Sequence, residues 1–77
     1  MGLFETLQQR LGCEFISDLP FLWRTHQKSF AFIVLRLDFD MFTFLEWIDL
    51  CDYLQISFEE RDLLDKNSIR ALFMRYA

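Results

Sequence analysis

The segment FTFLEWIDLCDYL, residues 42–54, declares its secondary structure more plainly than any other part of the chain. Thr43 and Glu46 are spaced as a capping box, in which the hydroxyl accepts from an orphan amide of the first turn and the carboxylate returns to the Thr backbone. Phe42 before the cap and Trp47 four residues after it are placed for a hydrophobic staple. From Phe44 to Leu54 the apolar residues recur with helical spacing: Phe44, Trp47, Ile48, Cys51 and Leu54 line one face. Leu45, Leu50 and Tyr53 widen that face, and Glu46, Asp49 and Asp52 keep the opposite side polar.

The flanking sequence reads the same way. Leu3, Leu7 and Leu11 predict a helix over 2–11, and Gly12 follows where a left-handed C-terminal cap suits glycine. Ser17 or Asp18 is placed to cap a second helix, with Pro20 in its first turn, where the missing N–H breaks no bond. Projected as one helix, Leu19, Leu22, Trp23, His26, Phe30, Ile33, Val34 and Leu37 form a continuous stripe. A strand over 30–37 competes, but Phe32, Ile33, Val34 and Leu35 are consecutive and do not alternate. Asp38 and Asp40 then end the helix and approach the positive start of the next one. Downstream, Ser57 and Glu60 repeat the capping-box spacing ahead of a helix over 58–65, with Leu63 and Leu64 inward. A break at Lys66-Asn67 and a Ser68 cap introduce a last helix bearing Ile69, Leu72, Phe73 and Tyr76.

The fold expected is therefore all-α: a compact single-domain bundle of four to five short helices spanning residues 1–77. The composition agrees. With 53% apolar residues the chain has the content to fold, and two Gly and one Pro are too few for a many-turned β protein. At 77 residues, a domain buries only about 60% of the surface its unfolded chain exposes. Ten Phe in so short a chain favour an exposed apolar patch and hence self-association or a protein partner.

Several function classes are disfavoured. The first residues carry Glu5 and Arg10 rather than a basic start and an apolar run, so no secretory signal is expected. The longest apolar run, Phe30 to Leu35, is far short of the roughly 20 residues a membrane span needs. Two Cys make no disulfide framework, and a cytoplasmic location with reduced thiols is expected. Cys13, His26 and Cys51 show no metal-ligand spacing, so no metal or other cofactor is expected. On the projected stripe His26 is a packed core histidine and Cys51 a small hydrophobe. Gly2 and Gly12 stand alone, which leaves no phosphate-cradling loop. The chain reads as non-enzymatic, without a small-molecule substrate.

Charge carries the functional expectation. The net charge of −4 arises from a centre of seven acids (Asp38, Asp40, Glu46, Asp49, Asp52, Glu59 and Glu60) with no Lys, Arg or His among them. Residues 1–36 and 61–77 are weakly basic. An acidic docking surface that steers a partner is the reading adopted, against a merely solvated face. Phe21, Phe32, Phe39, Phe42 and Phe58 are the aromatic residues assigned to the interface, so that Phe39→Ala or Phe32→Ala should weaken association and leave the helices intact. Finally, Leu50-Cys51-Asp52-Tyr53-Leu54-Gln55-Ile56-Ser57 resembles the first helix and turn of a helix-turn-helix, with Gln55 where glycine is frequent. The resemblance implies a transcriptional regulator, but the helix entering the groove would begin Phe58-Glu59-Glu60-Arg61-Asp62, whose carboxylates oppose phosphate. An acidic inhibitor or mimic acting on a nucleic-acid-binding protein is the other alternative. Nucleic acid itself is disfavoured as a partner. The function expected is a small interaction module: an adaptor, regulator or inhibitor.

Overall fold

A computed structural model describes residues 2–59 and 64–77. Among them are five α-helices: α1 (Leu3–Leu11), α2 (Leu19–Thr25), α3 (Gln27–Leu35), α4 (Phe44–Tyr53) and α5 (Lys66–Met74), with short 3-10 turns at Ile16–Asp18 and Phe39–Met41. No strand occurs among the described residues, and the all-α bundle expected from the sequence is the fold observed. The segment 30–35, which a strand contested, is helical.

Local chemistry accounts for the element ends. Gly12 closes α1 at φ 69°, its amide bonded to the Gln9 carbonyl at 3.3 Å and that of Cys13 to Gln8 at 3.2 Å. This conformation costs glycine nothing and would strain a residue with a Cβ. Pro20 lies in the first turn of α2. The capping box at the start of α4 is present in both directions: Thr43 Oγ1 accepts from the Glu46 amide at 3.1 Å, and Glu46 Oε1 accepts from the Thr43 amide at 3.1 Å. The staple is present too, with the Phe42 ring edge-on to Trp47 at 5.8 Å.

Three expectations about the elements are corrected. The helix projected from Leu19 to Leu37 breaks at His26, whose φ of −132° and ψ of 48° leave the helical region. The Thr25 hydroxyl bonds back to the Phe21 carbonyl at 2.9 Å and pairs with His26 Nδ1 at 2.9 Å. Breaking here leaves the imidazole in solvent, so His26 is exposed and is not a core histidine. An unbroken stripe would instead bury a polar ring, which is costly without partners. Second, α5 starts at Lys66 under Asp65, whose carboxylate accepts from the Ser68 amide at 2.9 Å and the Ser68 hydroxyl at 3.1 Å. An anion at the positive end of the helix displaces Ser68 from the capping role, and Lys66 and Asn67 lie inside the first turn. Third, residues 56–59 carry no helix, and Leu64 is 75% exposed rather than inward. The proposed Ser57–Glu60 box and the inward Leu63 fall partly or wholly on 60–63, outside the described residues.

This bears on the helix-turn-helix resemblance. Gln55 does turn the chain after α4 with a positive φ of 57°, but no helix follows through Glu59. The described residues thus show a helix and a turn where the resemblance lies, and no helix beginning at Phe58.

The core is one cluster built from all five helices and both connections around Phe39–Phe42 and Leu54–Ile56. Its centre is aromatic. Trp47 is fully buried, stacks on Phe39 with ring centroids 4.1 Å apart, and donates its Nε1–H to the Phe39 carbonyl at 3.2 Å. Trp23 meets Phe30, Phe73 and Tyr76 edge-on at 5.4, 5.6 and 4.9 Å. Edge-on and offset contacts of this kind add to the burial of the rings themselves. α1 packs against both α3 and α4, and α3 has its most extensive contact with α5.

Candidate interaction surfaces

The residues assigned to docking from the sequence separate into distinct groups once placed in the fold. Phe39 and Phe42 belong to the core, 1% and 7% exposed. Their assignment to an interface is corrected: the 3-10 turn rolls Phe39 under Trp47, and the staple holds Phe42 against the same indole. The outer face of Phe39 is covered by the Arg70 guanidinium, 4.8 Å from the ring centroid. Phe58 is half-buried and packs on the core. Phe21 and Phe32 are exposed, at 58% and 56%, but they stand on different helices, so no single aromatic patch unites the five.

The acids divide similarly. Glu46 holds two helices together: besides the capping box, its Oε2 accepts from the Leu3 amide at 3.0 Å, across 43 residues of sequence. Bonding to the Thr43 amide first, and then to that of Leu3, pulls its carboxyl below the ordinary carboxylate range. Asp38 accepts from the Asp40 amide at 3.1 Å and so starts the 3-10 turn rather than serving the start of α4. Glu59 has interactions of its own, and Glu60 lies outside the described residues. Asp40, Asp49 and Asp52 are exposed.

On α4, Asp49 and Asp52 lie on the helix face opposite Trp47 and Cys51, together with Leu45, which is 71% exposed. The expectation that Leu45 widens the core face is corrected: the structure turns it outward, because Trp47, Leu50 and Cys51 occupy the inner arc. α4 therefore presents a ridge of one large apolar side chain and two carboxylates, none of them ion-paired or hydrogen-bonded among the described residues. At its far end Asp52 shares a concavity of about 400 Å³ with Pro20, Arg24 and Tyr53.

A second surface, cationic and partly apolar, has no counterpart among the sequence expectations. Three open concavities run into one another along α3. One, of about 320 Å³, is lined by Lys28, Ser29, Phe32, Ile33 and Ala77. The next, of about 420 Å³, is lined by Arg10, Ile33 and Arg36. The third, of about 360 Å³, adds Thr6, Leu37, Asp38, Met41 and Phe42 to the same two arginines. Shared lining residues make them one groove between α3, the end of α1 and the 3-10 turn. Phe32 lies under the Arg36 guanidinium at 5.6 Å, and Met41 is 76% exposed. None of Arg10, Lys28 and Arg36 is ion-paired among the described residues. The one signal for the groove in the sequence is the spacing of Lys28, Phe32 and Arg36 at i, i+4 and i+8.

Neither thiol lines the concavities described above. Cys51 is buried, and burial, followed by the charge of Asp52, pushes its pKa up to about 12. Cys13 is half-buried, which raises its pKa as well. Among the described residues no three His, Cys, Asp or Glu side chains gather as a metal site requires. No helix among them is long and apolar enough to cross a membrane. Comparison of the chain with protein-family models, with curated proteins and with solved structures gives no match.

Proposed function

We propose that the chain is a non-enzymatic protein-interaction module, an adaptor or regulator that docks through surfaces pairing exposed apolar side chains with uncompensated charge. The observation that carries this reading is the ridge of α4, where Leu45, 71% exposed, stands on the same face as Asp49 and Asp52. A charged rim around an apolar anchor is the usual composition of a docking site: the anchor supplies affinity and the charge supplies orientation and rate. The thiol chemistry favours a non-catalytic role, since a thiol with a pKa near 12 is protonated at neutral pH and does not attack. A reducing, cytoplasmic setting is in keeping with the two free thiols.

The test is affinity capture from the native host with three baits: the wild-type chain, Leu45→Ala/Asp49→Asn, and Phe32→Ala. Both variants should retain the helical circular dichroism, because the altered side chains are outside the core. A stoichiometric protein held by the wild type, released by salt and lost with the α4 variant supports the module. Identical captures by all three baits would dismiss these surfaces as its docking sites.

A further inference from the structure

The groove and the ridge carry opposite chemistry on one chain. The groove offers Arg10, Lys28 and Arg36 around Phe32 and Met41, while the ridge offers Asp49 and Asp52 beside Leu45. The helix α1 packs against both α3, which lines the groove, and α4, which carries the ridge on its outward face. Along the sequence the two surfaces are four residues apart, Met41 lining the end of the groove and Leu45 beginning the ridge just past the Thr43 cap. From this arrangement we infer that the groove is occupied by the α4 ridge of a second copy of the chain, in a reciprocal two-fold dimer. The inference rests on the reading of these faces as docking surfaces and names their partner.

Charge complementarity selects this occupant. A cationic groove with exposed Phe and Met side chains is complementary to the solvent face of α4, which offers Leu45 beside Asp49 and Asp52. A polyanion such as nucleic acid would meet Arg10 and Arg36 but also the acidic centre of a chain whose net charge is −4. The two-fold arrangement follows from each copy carrying one patch of each sign, so that a reciprocal contact satisfies both. An axis passing near Met41 and Leu45 sets the arginines of one copy against the aspartates of the other, twice, and leaves no unsatisfied patch to propagate a fibre. A stable interface covers about 800 Å² per partner, roughly one-sixth of the 5106 Å² accessible surface, so both patches must contribute.

Sedimentation equilibrium on the full chain, from about 1 µM to about 500 µM, spans the dissociation constants such an exposed interface would have. A dimer is expected that weakens steeply as salt is raised and screens the cross-pairs. Arg36→Glu and Asp49→Arg should each raise the dissociation constant by about tenfold or more, since each places like charges opposite one another. Mixing the two variants should restore the dimer to near wild-type strength. The glutamate introduced in one copy then faces the arginine introduced in the other across one half, and the native pair of Arg36 with Asp49 closes the other half. Circular dichroism checks that each variant is folded, and both substitutions avoid the buried core. A wild-type chain that stays monomeric over the whole range overturns the inference. So does a dimer indifferent to both variants, or two weakened variants that mixing does not rescue. A monomer that binds a foreign protein or a single-stranded oligonucleotide, and loses it with Arg36→Glu, gives the groove to that ligand and overturns self-docking. In the foreign-protein case the module survives.

Discussion

Replacing Phe39 with Ala separates a core residue from a docking residue. Phe39 is 1% exposed, stacked on Trp47 at 4.1 Å and covered on its outer face by Arg70. Removing the ring opens a void of up to about 100 Å³, which at about 24 cal/mol per Å³ contributes about 2.4 kcal/mol beyond about 2 kcal/mol of lost transfer free energy. The sum, about 4 kcal/mol, is large against the roughly 4–12 kcal/mol that stabilises a chain of this length. At about 4–8 °C per kcal/mol for a domain this small, the melting temperature should fall by about 15–30 °C. Phe32, 56% exposed and touched by Arg36, is the internal control: Phe32→Ala should cost no more than about 1 kcal/mol. Thermal and urea melts followed by far-UV circular dichroism measure both variants in one experiment. If Phe39→Ala melts within about 5 °C of the wild type, the ring is not packed as described and the aromatic centre of the core is misassigned.

Acid should act through Glu46. Its carboxyl is held below the ordinary 4.5, so it stabilises the fold above that value, and the contribution disappears as pH falls through the lowered pKa. Urea midpoints at about pH 6 and about pH 3 should therefore differ less in Glu46→Gln than in the wild type; an equal acid loss in both would remove Glu46 from the account. Thiol labelling at about pH 8 should modify Cys13 first, with Cys51 reacting at the rate of global opening; equal native rates would contradict the burial of Cys51. Because the Cys51 pKa is raised, stability should also decline as pH climbs past the ordinary 9.0 toward about 12. Gln55→Gly should stabilise by about 0.5 kcal/mol: relief of a left-handed residue, worth about 1–2 kcal/mol, outweighs the added freedom of the unfolded chain. A lowered urea midpoint would mean that the Gln55 side chain contributes contacts of its own.

The parts of this fold that are legible in the sequence are those decided by neighbours within four residues. Thr43, Glu46, Phe42 and Trp47 specify the start of α4 among themselves, and Gly12 and Pro20 act through their own backbone preferences. Legibility fails where distant packing decides. Nothing near His26 separates a continuous stripe from two helices; the break is set by α3 turning to present Phe30, Ala31 and Val34 to the core. Phe39 and Phe32 are alike as letters, yet one rolls under Trp47 and the other meets solvent. Leu45 and Leu50 share a helix and part company by which arc of it faces the core. Counting charge along the chain joins the seven acids into one surface, whereas Glu46 and Asp38 are engaged by backbone amides. The groove is hidden for the converse reason: Arg10, Arg36 and Met41 come from separate parts of the chain and become neighbours only after folding.

One carboxylate, that of Glu46, accepts from the amide of Thr43, the cap of α4, and from that of Leu3, the first residue of α1. The two helices are separated by most of the chain's first half, so this bond closes a long loop that α2 and α3 occupy. The exchange of the Leu3 amide proton with solvent therefore reads directly whether α1 stays docked on α4.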